Sequence, residues 1–262
     1  MHLAFFILAM LPYFQWATIP LGPLTLQVWG LMVALGILLA VLILWKRGKA
    51  RGFDPEQLLS VTLWMIVVGF VFARLSHVFL YEPAFYLSHP FEILRVDKGG
   101  LSSFGGFVGA GLALFWLVKK GRIEKKKLWA MLDQLSFAAI YGWMVARVGC
   151  SLTHLHWGVL CEDCPLAINT PEGGRYDMAV LEIIGLIPLA IVFFVLRKRK
   201  MFEGFFLAAV MVYYGALRFV LDFFRATDVA HVDARYFGLT PAQYFAIVMV
   251  GLGIVFFKKR RV

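Results

Sequence analysis

Six ionisable side chains lie within, or at the ends of, long apolar stretches of this 262-residue chain: Arg74, Arg147, Glu182, Arg218, Asp222 and Arg225. A charge in hydrocarbon costs several kcal/mol unless it is paired or hydrated, so such residues usually serve a function. Tyr214, Arg218, Asp222 and Arg225 recur at spacings of four, four and three. This spacing places them on one face of a helix, where Arg218 and Asp222 can pair.

The arginines exceed the acidic groups near them. Arg74 and Arg147 have no acidic excess close by in the sequence. Because the planar guanidinium fork suits phosphate oxygens, we expect a buried anion, and a phospholipid headgroup is the simplest candidate. Two alternatives stay open: the Arg218–Asp222 pair only fixes helix register, and Arg225 snorkels to the membrane surface.

Two histidines follow one of these arginines. The stretch RVGCSLTHLHWGVLCEDC places Arg147, His154 and His156 within ten residues and adds Cys161 and Cys164. Histidine titrates near neutrality, so both histidines are candidates for proton transfer beside the anion site. One alternative is that the histidines only form ordinary hydrogen bonds in a loop. Another is a zinc site, but the nonstandard ligand spacing and the neighbouring arginine disfavour zinc. The two cysteines could instead pair with each other.

Glycines are concentrated in the segment GGLSSFGGFVG, residues 99–109. Small residues in a membrane helix permit close helix approach or backbone contact with a ligand. We expect Gly105 and Gly106 to line a ligand pocket, with helix packing as the alternative. Gly109 is expected to serve packing.

The composition requires a membrane to position these residues. Hydrophobic residues make up 61% of the chain and charged residues 16%, and the apolar runs leave no room for a separate globular domain. The sequence predicts an all-α integral membrane protein, a single membrane domain over residues 1–262 with about seven transmembrane helices. The predicted spans are residues 28–45, 57–80, 101–118, 128–147, 178–196, 203–225 and 240–257.

Much of the net charge of +10 lies beside these spans. Lysines and arginines cluster at 46–51, 119–127, 197–200 and 258–261, after spans one, three, five and seven. This is the positive-inside pattern, which makes a nucleic-acid partner improbable. It predicts an outside N-terminus and a cytoplasmic C-terminus. The external loops would then be 81–100, 148–177 and 226–239, next to the arginines of spans two, four and six.

Several motifs together resemble those of bacterial prolipoprotein diacylglyceryl transferases, in the same order and over nearly the whole chain. They are IPLGPLTLQVWGLMVALG, FARLSHVFLY, VDKGGLSSFGGFVGAG, ARVGCSLTHLHWG, YGALRFVLDFFR and LTPAQY. The resemblance implies a multi-pass enzyme of the bacterial plasma (inner) membrane with its active site toward the periplasmic, outer leaflet. It implies transfer of the diacylglyceryl group from phosphatidylglycerol to the lipobox cysteine thiol of a preprolipoprotein, with release of glycerol phosphate.

The resemblance also assigns residues. Arg147, Arg218 and Asp222 match family motif positions, as do Arg74 and Asp133. The expected catalytic residues are His154, His156, Arg147 and Arg218, and the expected substrate-binding residues are Arg74, Gly105, Gly106, Asp177, Glu182, Asp222 and Arg225. No metal or organic cofactor is needed. The partners would be the two membrane-bound substrates and membrane lipids, with the protein acting as a monomer.

The acid–base groups depart from the family pattern. Phe104 stands where the family usually has a histidine before the double glycine, and Leu155 stands at a usual glutamate position. Cys150 and Thr153 occupy usual asparagine positions, and of the span-five motif only Glu182 survives intact. We therefore hypothesise that His154 and His156 replace the missing groups. Two interpretations compete with this one. The same fold could act on another acceptor, or the protein could be a phospholipid or anion transporter that uses the same arginines.

Overall fold

The computed structural model describes residues 10–22, 24–80, 82–96, 100–162, 164–229, 232 and 235–261, and the side chain of Phe104 lies outside what it describes. The chain divides into two compact units. The first contains Met1–Leu44 and Leu132–Val262, and the second contains Trp45–Met131.

Helices dominate the described residues. The α-helices are α1 (Val28–Ala50), α2 (Pro55–Leu80), α3 (Pro83–Ser88), α4 (Ser103–Lys119), α5 (Leu128–Thr153), α6 (Met178–Leu196), α7 (Phe205–Leu221) and α8 (Pro241–Arg261). Short 3-10 helices cover Pro90–Leu94, Lys125–Lys127 and Asp222–Phe224. The strands are β1 (Leu11–Pro12), β2 (Thr18–Leu21), β3 (Leu24–Gln27), β4 (Trp157–Leu160), β5 (Ile168–Thr170) and β6 (Gly173–Asp177).

Within the described residues, six helices are long and apolar enough to cross a bilayer. They include α1, α2 and α6 at their full lengths, together with Lys125–Thr153, Phe205–Phe224 and Pro241–Lys258. The apolar part of α4, Gly105–Lys119, is shorter. The helices also present large apolar side chains outward, such as Leu63 and Phe115, at 62% and 68% exposure. The multi-pass helical membrane fold is therefore confirmed, while the seventh span and the orientation stay predictions.

Glycines set the packing of α2 against α4 in the second unit. A Cβ added to Gly105 would lie 2.5 Å from the carbonyl oxygen of Phe72, and one added to Gly109 would lie 2.6 Å from the Cβ of Phe72. A Cβ on Gly69 would lie 3.1 Å from the carbonyl oxygen of Gly106. The glycine-rich motif thus lets two helix backbones approach more closely than larger residues would allow.

Aromatic residues form the core of the first unit. Phe137 of α5, Phe193 of α6 and Phe206 of α7 contact one another. The same buried cluster also contains Ile140, Leu186, Leu189 and Ala190. This cluster fixes the three helices that carry most of the charged side chains discussed below.

Asp133 orders the start of α7. Its Oδ1 accepts hydrogen bonds from the amides of Phe206 and Leu207, at 2.8 and 3.1 Å, and its Oδ2 accepts from Gly204 at 2.8 Å. A carboxylate at a helix N-terminus satisfies unpaired amides and complements the helix dipole. The buried aspartate therefore has a structural explanation.

The all-α prediction omits a small sheet of four strands in the order β1-β5-β6-β4. β1 pairs in parallel with β5, whereas the other pairs are antiparallel. A separate hairpin joins β2 to β3. Cys161 and Cys164, in the segment between β4 and β5, form a disulfide with their Cα atoms 5.6 Å apart. Strands this short carry too little periodic pattern to be recognised beside long apolar helices.

Candidate active site

Glu182 lies at the centre of a buried polar network in the first unit. It sits in the second turn of α6 and is 1% exposed. Its Oε1 accepts from Arg147 Nε at 2.9 Å, Trp143 Nε1 at 2.7 Å and the Tyr214 hydroxyl at 3.0 Å. Its Oε2 accepts from Arg218 Nη1 at 3.4 Å. One carboxylate therefore orients two arginines, from α5 and α7.

Asp222 is the second buried carboxylate of this network and is also 1% exposed. Its Oδ1 lies 2.9 Å from Arg218 Nη2 and 3.2 Å from Arg225 Nε. Its Oδ2 accepts a hydrogen bond from the hydroxyl of Thr240, just before α8. The Thr240 amide donates to Gln243 Oε1 at 2.9 Å, and the Gln243 amide donates to Thr240 Oγ1 at 3.2 Å. This reciprocal capping box ties the start of α8 to the arginine network.

The network, which we call the arginine cluster, carries excess positive charge. It contains three guanidinium groups, Arg147, Arg218 and Arg225, and two carboxylates, Glu182 and Asp222, so its formal charge is +1. The ring of Trp143 adds a cation–π contact to Arg147, at 4.9 Å. An excess charge in a poorly hydrated site is costly unless a counterion balances it. The surplus positive charge suits the cluster to bind an anion.

Arg225 is also fixed through its backbone. It forms an isolated antiparallel bridge with Gly158 of β4. The carbonyl oxygen of Gly158 accepts from Arg175 Nη1 at 3.0 Å, and Arg175 makes a two-pronged ion pair with Asp228, at 3.0 and 2.5 Å. These hydrogen bonds from Arg175 hold the pKa of Asp228 below its usual value. The sheet is thus fastened to the segment that follows the last arginine of the cluster.

His154 is enclosed on every side. Its Nδ1 lies 2.9 Å from Asp177 Oδ2 and its Nε2 lies 2.9 Å from the carbonyl oxygen of Phe14. Its ring is stacked between Tyr13 and Trp157, with centroid distances of 5.1 and 4.8 Å. Its backbone has a φ of 49°, in the left-handed region that favours glycine. Non-glycine residues adopt this region infrequently, and the contacts described above hold His154 in it.

His156, two residues further on, is held through its backbone. Its carbonyl oxygen accepts from the Met178 amide at 3.0 Å, which ties the chain at His156 to the start of α6. Burial lowers the pKa of its imidazole well below the usual value, and the positive charges of Arg225, Arg147 and Arg218 lower it further. The ring is therefore uncharged at neutral pH and able to accept a proton.

Arg74 has a different environment, in the second unit. Its guanidinium donates to the carbonyl oxygens of Glu92, Ile93, Arg95 and Gly100, at distances of 2.6 to 3.1 Å. Gly100 has a φ of 77°, and a Cβ there would lie 2.6 Å from Arg74 Nη1. Arg74 therefore holds the loop that leads into the glycine-rich helix.

The structure brings only part of the predicted site together. Five predicted residues meet in the arginine cluster: Arg147, Glu182, Arg218, Asp222 and Arg225. His154 and Asp177 pair with each other. Asp177 also caps α6, because its Oδ1 accepts hydrogen bonds from the amides of Ala179 and Val180. Arg74, Gly105 and Gly106 belong to the second unit. Arg74 donates hydrogen bonds to the loop before α4, and the two glycines lie where α2 and α4 pack against each other.

Sequence reasoning assigned no role to four other residues of the network: Trp143, Tyr214, Thr240 and Gln243. Three of them carried a usable signal. Tyr214 lies four residues before Arg218 on the same helix face, and Thr240 with Gln243 has the spacing of a capping box. The role of Trp143 depends on a contact with a residue 39 positions away, which no local pattern predicts.

Comparison with known proteins gives a consistent result. The family described as "Prolipoprotein diacylglyceryl transferase" matches residues 17–258. The chain is 30% identical over 257 residues to the "Phosphatidylglycerol--prolipoprotein diacylglyceryl transferase" of Nitrosomonas europaea, covering 93% of this chain and 88% of the relative. It is 30% identical to the protein of that name from Azoarcus sp., covering 94% and 95%. The protein of that name from Aromatoleum aromaticum is 29% identical, covering 93% and 94%.

Proposed function

This chain belongs to the prolipoprotein diacylglyceryl transferase family, and from that premise we propose that it transfers the diacylglyceryl group from phosphatidylglycerol to a prolipoprotein. The observation that carries this proposal is the arginine cluster, with three guanidinium groups held by two carboxylates. A phosphatidylglycerol headgroup is a phosphodiester with one negative charge. This negative charge suits the surplus of positive charge in the cluster.

The acceptor atom in this proposal is the thiol sulfur of the lipobox cysteine. The sulfur attacks the glycerol carbon that carries the phosphate ester, a carbon–sulfur bond forms, and the carbon–oxygen bond breaks. The electron pair leaves with glycerol phosphate, and the thiol proton must be taken up elsewhere. Arg147 and Arg218 bind the phosphate and stabilise its growing charge, an effect worth about 100- to 1,000-fold in rate for one well-placed donor.

The other predicted residues act around these two arginines. Glu182 and Asp222 orient the guanidinium groups, and Asp222 also holds Arg225. A histidine beside the cluster, His154 or His156, accepts the thiol proton. No protein nucleophile, metal or organic cofactor is required, because the thiol itself attacks.

Arg74, Asp177, Gly105 and Gly106 contribute indirectly in this proposal. Arg74 shapes the loop before α4, and Asp177 fixes the start of α6. The glycines permit the close approach of α2 and α4. A mutation of Asp177 would move the start of α6, which carries Glu182 of the arginine cluster.

The proposed location is the bacterial plasma membrane, with the site in its outer leaflet, facing the periplasm. The basic clusters after α1, α4, α6 and at the end of α8 support this orientation through the positive-inside rule. Because both substrates are membrane-bound, they would reach a monomeric enzyme laterally, between helices.

The test uses the purified protein in phosphatidylglycerol vesicles with a synthetic lipobox peptide. The expected products are glycerol phosphate and a peptide whose mass has increased by one diacylglyceryl group on cysteine. A peptide with Ser in place of the cysteine is the matched control and should remain unmodified. Glycerol phosphate without a lipidated peptide would favour another acceptor, and labelled lipid that crosses the bilayer unchanged would favour a transporter.

A further inference from the structure

The three arginines of the arginine cluster are not held in the same way. Arg147 lies in α5 and Arg218 in α7, so helical hydrogen bonds fix their backbones. Arg225 follows the 3-10 turn Asp222–Phe224, and its backbone is extended, with a φ of −69° and a ψ of 141°. The backbone of Arg225 therefore needs support from outside the helix.

Strand β4 supplies this support. Gly158 of β4 forms an antiparallel bridge with Arg225, and the carbonyl oxygen of Trp157 accepts from the Ala226 amide at 3.1 Å. The two segments approach closely, since a Cβ added to Gly158 would lie 2.8 Å from the carbonyl oxygen of Phe224. A shift of β4 would therefore displace the backbone of Arg225.

Arg175 of β6 ties β4 to the chain that follows Arg225. Its Nη1 donates to the carbonyl oxygen of Gly158 and to Asp228 Oδ1, both at 3.0 Å, and its Nη2 donates to Asp228 Oδ2 at 2.5 Å. Arg175 is only 5% exposed, whereas the side chain of Asp228 is 45% exposed. One buried guanidinium group thus joins the bridge residue of β4 to a carboxylate three positions beyond Arg225.

The side chain of Arg225 returns from this segment to the arginine cluster. Asp222 Oδ1 lies 3.2 Å from Arg225 Nε and 2.9 Å from Arg218 Nη2. The direction of the Arg225 guanidinium is therefore set at one end by its backbone and at the other by a carboxylate that two arginines share. Arg175 acts on the backbone end.

Given the proposed function, on which this inference rests, we propose that Arg175 and Asp228 are a positioning pair, which holds the backbone of Arg225 so that its guanidinium reaches the phosphate of phosphatidylglycerol. Neither residue of the pair touches the lipid. The pair acts on binding of the headgroup, because the phosphate is already negatively charged in the substrate. An interaction made equally in the bound substrate and in the transition state lowers KM and leaves kcat unchanged.

The experiment uses the lipobox peptide and vesicles in which the fraction of phosphatidylglycerol is varied against phosphatidylcholine. Arg175→Gln and Asp228→Asn should each raise the KM for phosphatidylglycerol by about 10- to 100-fold, with kcat within about twofold of the unmodified enzyme. Asp228→Asn changes a partly exposed side chain, so it serves as the second variant if Arg175→Gln disturbs folding. Glu172→Gln is the matched control, because Glu172 is exposed and its charge also acts on Arg175. Its KM should equal that of the unmodified enzyme.

A double-mutant cycle separates positioning from a general loss of structure. If Arg175 acts through Arg225, adding Arg175→Gln to Arg225→Gln should raise KM no further, because the guanidinium that Arg175 positions is already absent. A general disturbance of the sheet would instead add its own effect. Additive increases in KM would overturn the proposal, as would an unchanged KM in both Arg175→Gln and Asp228→Asn.

Direct binding distinguishes failure of this inference from failure of the proposed function. The affinity of short-chain phosphatidylglycerol for the purified protein in detergent should fall in Arg175→Gln and Asp228→Asn but not in Glu172→Gln. If the unmodified protein binds this lipid but forms no lipidated peptide, the proposed function fails, and the same cycle measured by binding still decides whether Arg175 positions Arg225. If the unmodified protein does not bind the lipid, both proposals fail.

Discussion

Arg218 lies between two buried carboxylates: its Nη2 is 2.9 Å from Asp222 Oδ1, one helical turn away, and its Nη1 is 3.4 Å from Glu182 Oε2. Each carboxylate also holds a second arginine, Arg147 or Arg225. A single guanidinium group therefore links two ion pairs from different helices. Disturbing either carboxylate should change the geometry of the whole anion site.

Glu182→Gln tests this linkage. Glutamine keeps the shape but removes the charge that two arginines share, and its NH₂ group cannot accept their hydrogens. Removing one partner of a buried pair typically destabilises a protein by about 3–5 kcal/mol. We expect a lower thermal midpoint in detergent and at least tenfold lower transfer. Glu172→Gln, at an exposed position, is the matched control, and equal losses in both variants would contradict the linkage.

Thr240→Val tests the connection between α8 and Asp222. Valine has nearly the same shape but removes the hydroxyl that donates to Asp222 and accepts from Gln243. Loss of such a cap costs about 0.5–2 kcal/mol. Because Asp222 would also lose a donor, we expect a raised KM for phosphatidylglycerol. Thr240→Ser retains the hydroxyl and should restore both the thermal midpoint and the KM, whereas a serine variant as defective as the valine variant would refute this explanation.

The Arg175–Asp228 pair should make stability depend on pH. Pairing lowers the pKa of Asp228 in the folded state, so its contribution is complete above the unfolded pKa of roughly 3.9 and is lost as pH falls through the folded pKa. The thermal midpoint should therefore exceed that of Asp228→Asn at pH 6, and the difference should shrink below about pH 4. A difference that stays constant across this range would show that the ion pair does not provide the stabilisation.

Gly105→Ala and Gly111→Ala separate helix packing from helix propensity. Both residues lie in α4, but a Cβ on Gly105 meets the Phe72 carbonyl at 2.5 Å, whereas one on Gly111 meets nothing within 4 Å. We expect Gly105→Ala to destabilise the protein by about 1–3 kcal/mol through overpacking. Gly111→Ala should be neutral or slightly stabilising. If unfolding in detergent shows equal effects, close packing of α2 and α4 is not the reason for the glycine.

The sequence predicts local features of this protein well. The span at 178–196 coincides with α6, and the four-residue spacing of Arg218 and Asp222 predicts their ion pair. These features follow from the repeat of a single helix and from an apolar run, which need no distant information.

Contacts between distant segments could not be predicted in the same way. His154 bonds to Phe14, 140 positions away, and Glu182 gathers donors from α5 and α7. A histidine beside an arginine motif therefore indicates proton transfer equally well at 154 and at 156. Only the fold shows that the ring of His154 is engaged by Asp177 and by the carbonyl oxygen of Phe14.

The pairing of β1 with β5 also bears on how often the chain crosses the membrane. Leu11 and Ile168 are register partners, so the segments before α1 and after α5 must lie on the same face of the bilayer. Between them lie α1, α2, α4 and α5 as candidate crossings, and a return to the starting face requires an even number. Three of the four are long enough on their own, so parity favours the shorter α4 as the fourth crossing. If α6, α7 and α8 also cross, the total is seven, and β1 and the end of α8 would lie on opposite faces of the bilayer.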